Sequence, residues 1–117
     1  MEVLKLGEVL DKLNWQRDEE LLNVEITGDW YSWRGSYDYI AIEFLQGGKN
    51  YSTVENLKDV LNSALNTGKM HGYKGGEYNI DYDTPLVFTT DYRDSFGLEV
   101  VNIGFDFEGL KISVQEV

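Results

Sequence analysis

The sequence has no cysteine, one proline and one histidine among its 117 residues. Without cysteine the chain cannot form disulfides or thiolate metal sites, and a single histidine leaves no His-rich site for a transition metal. No apolar run approaches the roughly 18–20 residues that span a bilayer, and the first residues lack the layout of a signal peptide. These absences predict a cytoplasmic protein with no metal, no cofactor and no membrane partner.

Catalytic signatures are also missing. The chain contains no G-x-S-x-G elbow, no P-loop, no G-x-G-x-x-G and no Cys–His pair. Asn79, Asp81 and Asp83 have the spacing of the first ligands of a calcium loop, but Thr84 stands where that loop needs glycine. The sequence therefore predicts a protein that is not an enzyme.

Charge of one sign dominates the chain. It has 21 acidic against 10 basic residues, which gives a formal net charge of −11. Such a protein is repelled by the phosphates of a nucleic-acid backbone, so direct nucleic-acid binding is not expected. Its partner is expected to be either a small ligand or a basic protein, and acidity that serves solubility alone is the alternative interpretation.

Two segments have helical periodicity. Leu6, Val9, Leu10 and Leu13 predict one face of a short helix within residues 4–14. A second helix is predicted over residues 53–67, preceded by the capping-box spacing of Ser52 and Glu55. Its predicted buried face consists of Leu57, Val60, Leu61 and Leu65.

The rest of the chain favours strands. They are predicted near residues 21–28, 39–45, 77–82, 85–92, 98–106 and 110–116, with loops at 28–38 and 69–76. Residues 1–117 are thus expected to form one α+β domain in the order α-β-β-α followed by a β-meander. We expect both helices on one face of a largely antiparallel sheet of five to six strands, with a parallel pairing possible at one point.

Two loops combine aromatic rings, cations and glycines. Aromatic faces can stack on a flat ligand, Arg or Lys can bind a phosphate or carboxylate, and glycine lets a ligand approach the main chain. The pattern predicts a binding site for a small anionic or nucleotide-like ligand, although the same rings could simply cover the core. The candidate ligand-binding residues are Trp33, Arg34, Gly35, Ser36, Tyr37, Tyr73, Lys74, Gly75, Gly76 and Tyr78.

A second hypothesis rests on carboxylates. If the C-terminal strands are neighbours, their acidic residues could form one anionic face that binds a basic protein as a partial mimic of DNA. The residues of this predicted face are Glu77, Asp81, Asp83, Asp91, Asp94, Glu99, Asp106 and Glu108.

Short strings give the chain a family resemblance. The segments Arg34-Gly35-Ser36-Tyr37-Asp38 and Gly72-Tyr73-Lys74-Gly75-Gly76-Glu77-Tyr78, followed by Asp83-Thr84-Pro85-Leu86, resemble strings in small uncharacterised bacteriophage accessory proteins. Val87 departs from the tryptophan expected after the last string. The resemblance implies a viral protein that acts in the host cytoplasm against a host defence. On this basis the first hypothesis is sequestration of a nucleotide-like ligand, and the alternative is inhibition of a basic host enzyme.

Overall fold

The computed structural model describes residues 3–46, 50–72, 75–90, 95–106 and 109–117, with only the backbone of residues 46, 106 and 109. Helices and strands follow one another along these residues. They are α1 (Leu6–Asn14), β1 (Val24–Trp33), β2 (Ser36–Gln46), α2 (Val54–Thr67), β3 (Lys69–His71), β4 (Glu77–Asn79), β5 (Leu86–Thr89), β6 (Leu98–Asp106) and β7 (Gly109–Glu116). The predicted α+β class is confirmed, while the number and order of strands differ from the prediction.

Five of the strands form the main sheet, in the order β1-β2-β5-β6-β7, and β3 pairs with β4 in a separate antiparallel sheet. Neighbours in the main sheet are antiparallel, except that β2 and β5 are parallel with Ile40 opposite Leu86. A parallel pair needs a crossover connection, which α2 and the small sheet provide. The last three strands form the predicted meander.

The helices supply one side of the core. The four residues predicted for the apolar face of α1 are all buried. In α2, Leu57 and Leu61 are buried as predicted, whereas Val60 and Leu65 are half-buried. Both helices belong to one apolar cluster with the main sheet, whose centre includes the ring pair Phe44 and Phe88 at 5.3 Å. Burial of these faces, not propensity, stabilises such short helices.

The start of α2 differs by one residue from the predicted cap. The hydroxyl of Thr53 accepts the backbone N–H of Asn56 at 3.2 Å, so Thr53 is the N-cap. The Ser52 hydroxyl instead accepts the N–H of Ile26 at 2.8 Å, and thereby ties the chain before α2 to β1.

The predicted loop at 28–38 is largely strand. β1 continues to Trp33 and β2 begins at Ser36, so only Arg34 and Gly35 form the turn. The β1–β2 register shifts between Ile26 and Trp30, which breaks the alternation on which a strand is recognised in a sequence. The predicted loop at 69–76 likewise contains β3, and β4 ends at Asn79, earlier than predicted.

The sheet also carries apolar residues on the face turned away from the helices, here called the outer face. Trp33, Ala41 and Val87 form a buried cluster there, with Tyr31 and Tyr39 packed against it. A hydrogen bond joins the hydroxyl of Tyr31 to that of buried Thr89.

One side chain links the two edges of the main sheet. Asn23, just before β1, accepts the N–H of Ile112 at 3.0 Å and donates to the carbonyl of the same residue at 3.2 Å. The side-chain amide of Asn23 therefore bonds to the edge of β7 as the backbone of a neighbouring strand would. The sheet curves so that its two edge strands approach each other at this end. No helix in the described part of the chain is long and apolar enough to cross a membrane.

Candidate functional site

The β1–β2 turn contains the first group of predicted ligand-binding residues. The Ser32 hydroxyl donates to the carbonyl of Tyr37 at 2.7 Å, which fixes the hairpin below the turn. The Ser36 hydroxyl donates to Asp38 Oδ1 at 2.5 Å, so this hydroxyl is engaged within the hairpin. Arg34 and Tyr37 are half-buried, and Gly35 is exposed.

Trp33 does not offer the stacking surface that the sequence predicted. Its side chain is only 4% exposed. A Cβ atom built on Gly35 would lie 2.4 Å from the Trp33 ring, and one on Gly97 would lie 2.8 Å from it, so both glycines press against the indole. The Tyr39 ring is 5.6 Å away between centroids. Trp33 therefore packs the outer face, and its Nε1 has no hydrogen-bond partner among the described residues.

The second group lies on the β3–β4 hairpin. The N–H of Gly72 donates to the carbonyl of Gly76 at 3.0 Å, and the N–H of Gly75 donates to the carbonyl of Gly72 at 3.0 Å. Gly75 and Gly76 have φ values of 94° and 82°, which residues with a Cβ rarely adopt. Tyr78 is half-buried opposite Met70. Tyr73 and Lys74 lie outside the described residues.

The structure brings one residue of the first group, Tyr37, next to the β3–β4 hairpin. A Cβ atom on Gly72 would lie 3.2 Å from Cβ of Tyr37 and 2.7 Å from the Tyr78 ring. Gly72 therefore lies beside a tyrosine of each hairpin. We call this place the loop junction, defined by Arg34, Gly35, Tyr37, Gly72, Gly75, Gly76 and Tyr78.

The described carboxylates of the predicted acidic face lie on different elements. Glu77, on β4, forms an ion pair with Lys69 at 3.1 Å. Asp81 and Asp83 are not on a strand as predicted, because Asp81 Oδ1 accepts the N–H of Asp83 at 2.8 Å and shapes a turn. Glu99 is half-buried on β6.

The remaining residues of that prediction cannot be placed in a face. The backbone alone is described for Asp106, and Asp91, Asp94 and Glu108 lie outside the described residues.

Negative charge also reaches the outer face. Burial raises the pKa of the Tyr39 hydroxyl, and the nearby carboxylates of Glu99 and Asp38 raise it further. A charged tyrosinate is disfavoured there, because it would lose hydration and meet like charges.

The structure also has two concave regions that the sequence did not predict. A cavity of about 320 Å³ is lined by Leu21, Leu22, Asn23, Tyr51, Leu110 and Lys111, and a hollow of about 210 Å³ by Asn102, Gly104, Phe105, Lys111 and Ser113. No pattern in the sequence brings these residues together. Within the described ranges, no three His, Asp or Glu side chains are grouped so that they could hold a metal ion.

Comparisons with protein-family models, with curated proteins and with solved structures give no match to this chain.

Proposed function

We propose that the chain is a non-enzymatic binding protein that takes up a small, nucleotide-like anion at the loop junction. The observation that carries the proposal is the contact between Gly72 and Tyr37, because it joins two segments of the same unusual composition at one place.

The residues of the loop junction have complementary roles. Tyr37 and Tyr78 are half-buried, which leaves part of each side chain for contact with a base. Arg34 offers planar donors for a phosphate, and Lys74 is proposed from the sequence as a second cation for the same ligand. Gly75 and Gly76 are exposed and have no Cβ, so a ligand can approach their main chain. Trp33 has an indirect role, since its ring supports the turn from the outer face.

The net charge of −11 makes local cations decisive. The general field of the protein repels phosphates, so only a cation facing the ligand can offset that repulsion. Loss of one charge-assisted hydrogen bond costs roughly 1.5–3 kcal/mol, or about ten- to a hundredfold in affinity.

The proposed biological role is based on the resemblance of short strings in the sequence to bacteriophage accessory proteins. A phage protein that binds a nucleotide signal without consuming it would lower the free concentration of that signal in the host. We propose this sequestration as the means of countering a host defence.

Calorimetry against mono-, di- and cyclic nucleotides tests the proposal, with wild type compared with Arg34→Ala and Lys74→Ala. Arg17→Ala is the matched control, because its side chain is 73% exposed and lies before β1, whereas the loop junction lies beyond the other end of that strand. At least one nucleotide should bind, and both Arg34→Ala and Lys74→Ala should weaken binding tenfold or more while Arg17→Ala does not.

Two results would contradict the proposal. Failure of every nucleotide to bind would favour the acidic inhibitor of a basic host enzyme. Binding that all three variants leave unchanged would place the ligand elsewhere on the protein.

A further inference from the structure

We infer that an extended, basic peptide segment of another protein docks on the open edge of β7, meaning the backbone groups of Val114 and Glu116 that point away from β6. β7 is the last strand in the order of the main sheet, and β6 pairs with one of its two edges. An edge strand offers N–H and C=O groups to a further chain, and strand addition is a recurring way of binding peptides.

The hydrogen bonds of Asn23 show which residues of β7 point outwards. In an antiparallel ladder both backbone groups of a residue point to the same side, and this side alternates along the strand. Both groups of Ile112 bond to the Asn23 side chain, so they point away from β6. Val114 and Glu116, two and four residues later, therefore point the same way.

A separate hydrogen bond gives the same phase at the end of the strand. The N–H of Val117 donates to the carbonyl of Gly97, just before β6, at 3.1 Å, so the residue after Glu116 points towards β6. The register shift in this ladder places its extra residue on β6, between Val100 and Asn102, and leaves β7 regular. In the described part of the chain, only the side chain of Asn23 bonds to the edge of β7 that faces away from β6.

The side chains around the open edge favour a basic peptide. Gln115 and Glu116 are exposed on opposite faces of β7, and Glu99 lies opposite Gln115 on β6. Opposite charges on neighbouring strands attract, so a peptide fits with one lysine beside Glu116 and a second on the face of Glu99. Val114 is half-buried and packs against the main apolar cluster, so a valine suits the peptide position beside it.

The net charge favours a basic partner over a second copy of the chain. Two copies that each carry −11 repel one another, and each would bring its own Glu116 to the open edge of the other. A basic segment is attracted by the same field. The open edge uses no residue of the loop junction, so it can be tested independently of nucleotide binding.

The probe is the peptide acetyl-TKKVT-amide, which in antiparallel pairing sets its first lysine beside Glu116 and its valine beside Val114. Two N-methylated forms are the matched ligands. A methyl on the valine nitrogen removes an N–H that points at the open edge, whereas one on the second lysine removes an N–H that points away from it. NMR titration should show that the lysine-methylated form binds as the parent does, and that the valine-methylated form binds about tenfold more weakly or worse.

Variants of the protein test the same edge. Val114→Pro removes an outward N–H without breaking the ladder to β6, and should weaken the parent peptide about tenfold while the protein stays folded. Glu116→Gln should weaken it by up to about fivefold. Asp59→Asn, an equal change of charge on α2, should not, and Arg34→Ala should bind the peptide as wild type does.

Hydrogen exchange locates the contact, since the bound peptide should slow exchange of the amide protons of Val114 and Glu116. The inference is overturned if the peptide does not bind at millimolar concentration, if both methylated forms bind equally well, or if exchange at these two amides is unchanged. A dimer of the protein that Val114→Pro dissociates would also overturn it, because a second copy would then occupy the edge.

Discussion

Several glycines of this protein lie against aromatic side chains. Gly35 and Gly97 both lie against the Trp33 indole, and Gly72 lies beside Tyr37 and Tyr78. A side chain at any of them would have to displace a packed ring, so the absence of a Cβ matters more for packing than for chain flexibility. The glycines that made these segments look like loops are therefore part of how the rings are held.

Leu61 is the residue on which the packing of α2 is best tested. It is 0% exposed and belongs to the main apolar cluster. Leu61→Ala should lower the free energy of unfolding by roughly 2–5 kcal/mol, through lost burial and the cavity left behind. Urea denaturation measures this, with Asn62→Ala on the exposed side of the same turn as the control. A loss below about 0.5 kcal/mol, the size typical of a surface position, would contradict the assigned burial.

The raised pKa of Tyr39 predicts that the stability of the protein depends on pH in the alkaline range. Its pKa is raised in the folded state by burial and by the carboxylates of Glu99 and Asp38. Above the ordinary tyrosine pKa of about 10, the unfolded chain loses this proton while the folded chain retains it, so stability falls as pH rises. The contribution is fully present below that pH and is lost through the folded pKa.

Tyr39→Phe should flatten this alkaline fall, and Glu99→Gln should reduce it by lowering the pKa of Tyr39. Urea denaturation at a series of alkaline pH values measures both effects. Tyr51→Phe is the control, because it makes the same chemical change at a tyrosine that is 43% exposed. An alkaline fall that Tyr39→Phe leaves unchanged would show that other groups cause it.

At the scale of elements, the hydrogen bonds from Asn23 to β7 take the place of backbone pairing between strands β1 and β7. No backbone ladder between β1 and β7 is present in the described residues, yet one side chain makes two hydrogen bonds across the gap. Asn23→Ala should lower stability by about 1–3 kcal/mol, because two partly buried backbone groups lose their partner. Asn23→Asp should cost more at neutral pH, since a carboxylate cannot donate to the carbonyl of Ile112.

Denaturation at neutral and mildly acidic pH checks this difference. Protonation restores a donor, so the deficit of Asn23→Asp relative to Asn23→Ala should shrink as the pH falls. Equal stability of the two variants at all pH values would mean that the bridge is not formed in solution.

The elements also show why part of the fold could be predicted from the sequence. The buried faces of α1 and α2 follow from the spacing of apolar residues within each segment. The burial of residues such as Leu6 and Leu57 could therefore be predicted from the local sequence. The strand character of residues 28–33 was missed because the irregular β1–β2 register removes the alternation. The bridge between Asn23 and Ile112 joins residues 89 positions apart, a distance over which no local pattern carries information.

As with the fold, only part of the candidate site could be predicted from the sequence. Composition indicated two segments suited to ligand binding, and the contact between Tyr37 and Gly72 is a tertiary feature that only the folded chain defines. Burial of Trp33 was one of the two interpretations that the sequence left open, because an indole has the same sequence signal whether it stacks on a ligand or packs against the sheet. The cavity beside Lys111 had no signal, since its lining comes from three separate segments.

At the scale of the whole molecule, charge repulsion opposes folding. The chain carries a formal charge of −11, and the ion pairs Arg17–Glu19 and Lys69–Glu77 lie on exposed side chains. Exposed pairs contribute little, and salt screens the repulsion between distant carboxylates. The melting temperature should therefore rise as sodium chloride increases from about 10 mM to 200 mM, over which the Debye length falls from roughly 30 Å to below 10 Å.

Scanning calorimetry at several salt concentrations tests this expectation. A double variant, Asp11→Asn with Asp59→Asn, removes two exposed charges and should respond less to salt than wild type. A melting temperature that falls with added salt would mean that attractive pairs outweigh the repulsion.

The parallel pairing of β2 with β5 affects how fast the chain folds. Ile40 meets Leu86 only after α2 and the β3–β4 hairpin have been synthesised between them. Closing so long a segment slows the rate-limiting step of folding. Until β5 pairs with it, β2 is an apolar strand with unpaired backbone groups along one edge. We expect refolding on the slow side for a domain of this size, with aggregation competing at high concentration until β5 inserts at the centre of the sheet.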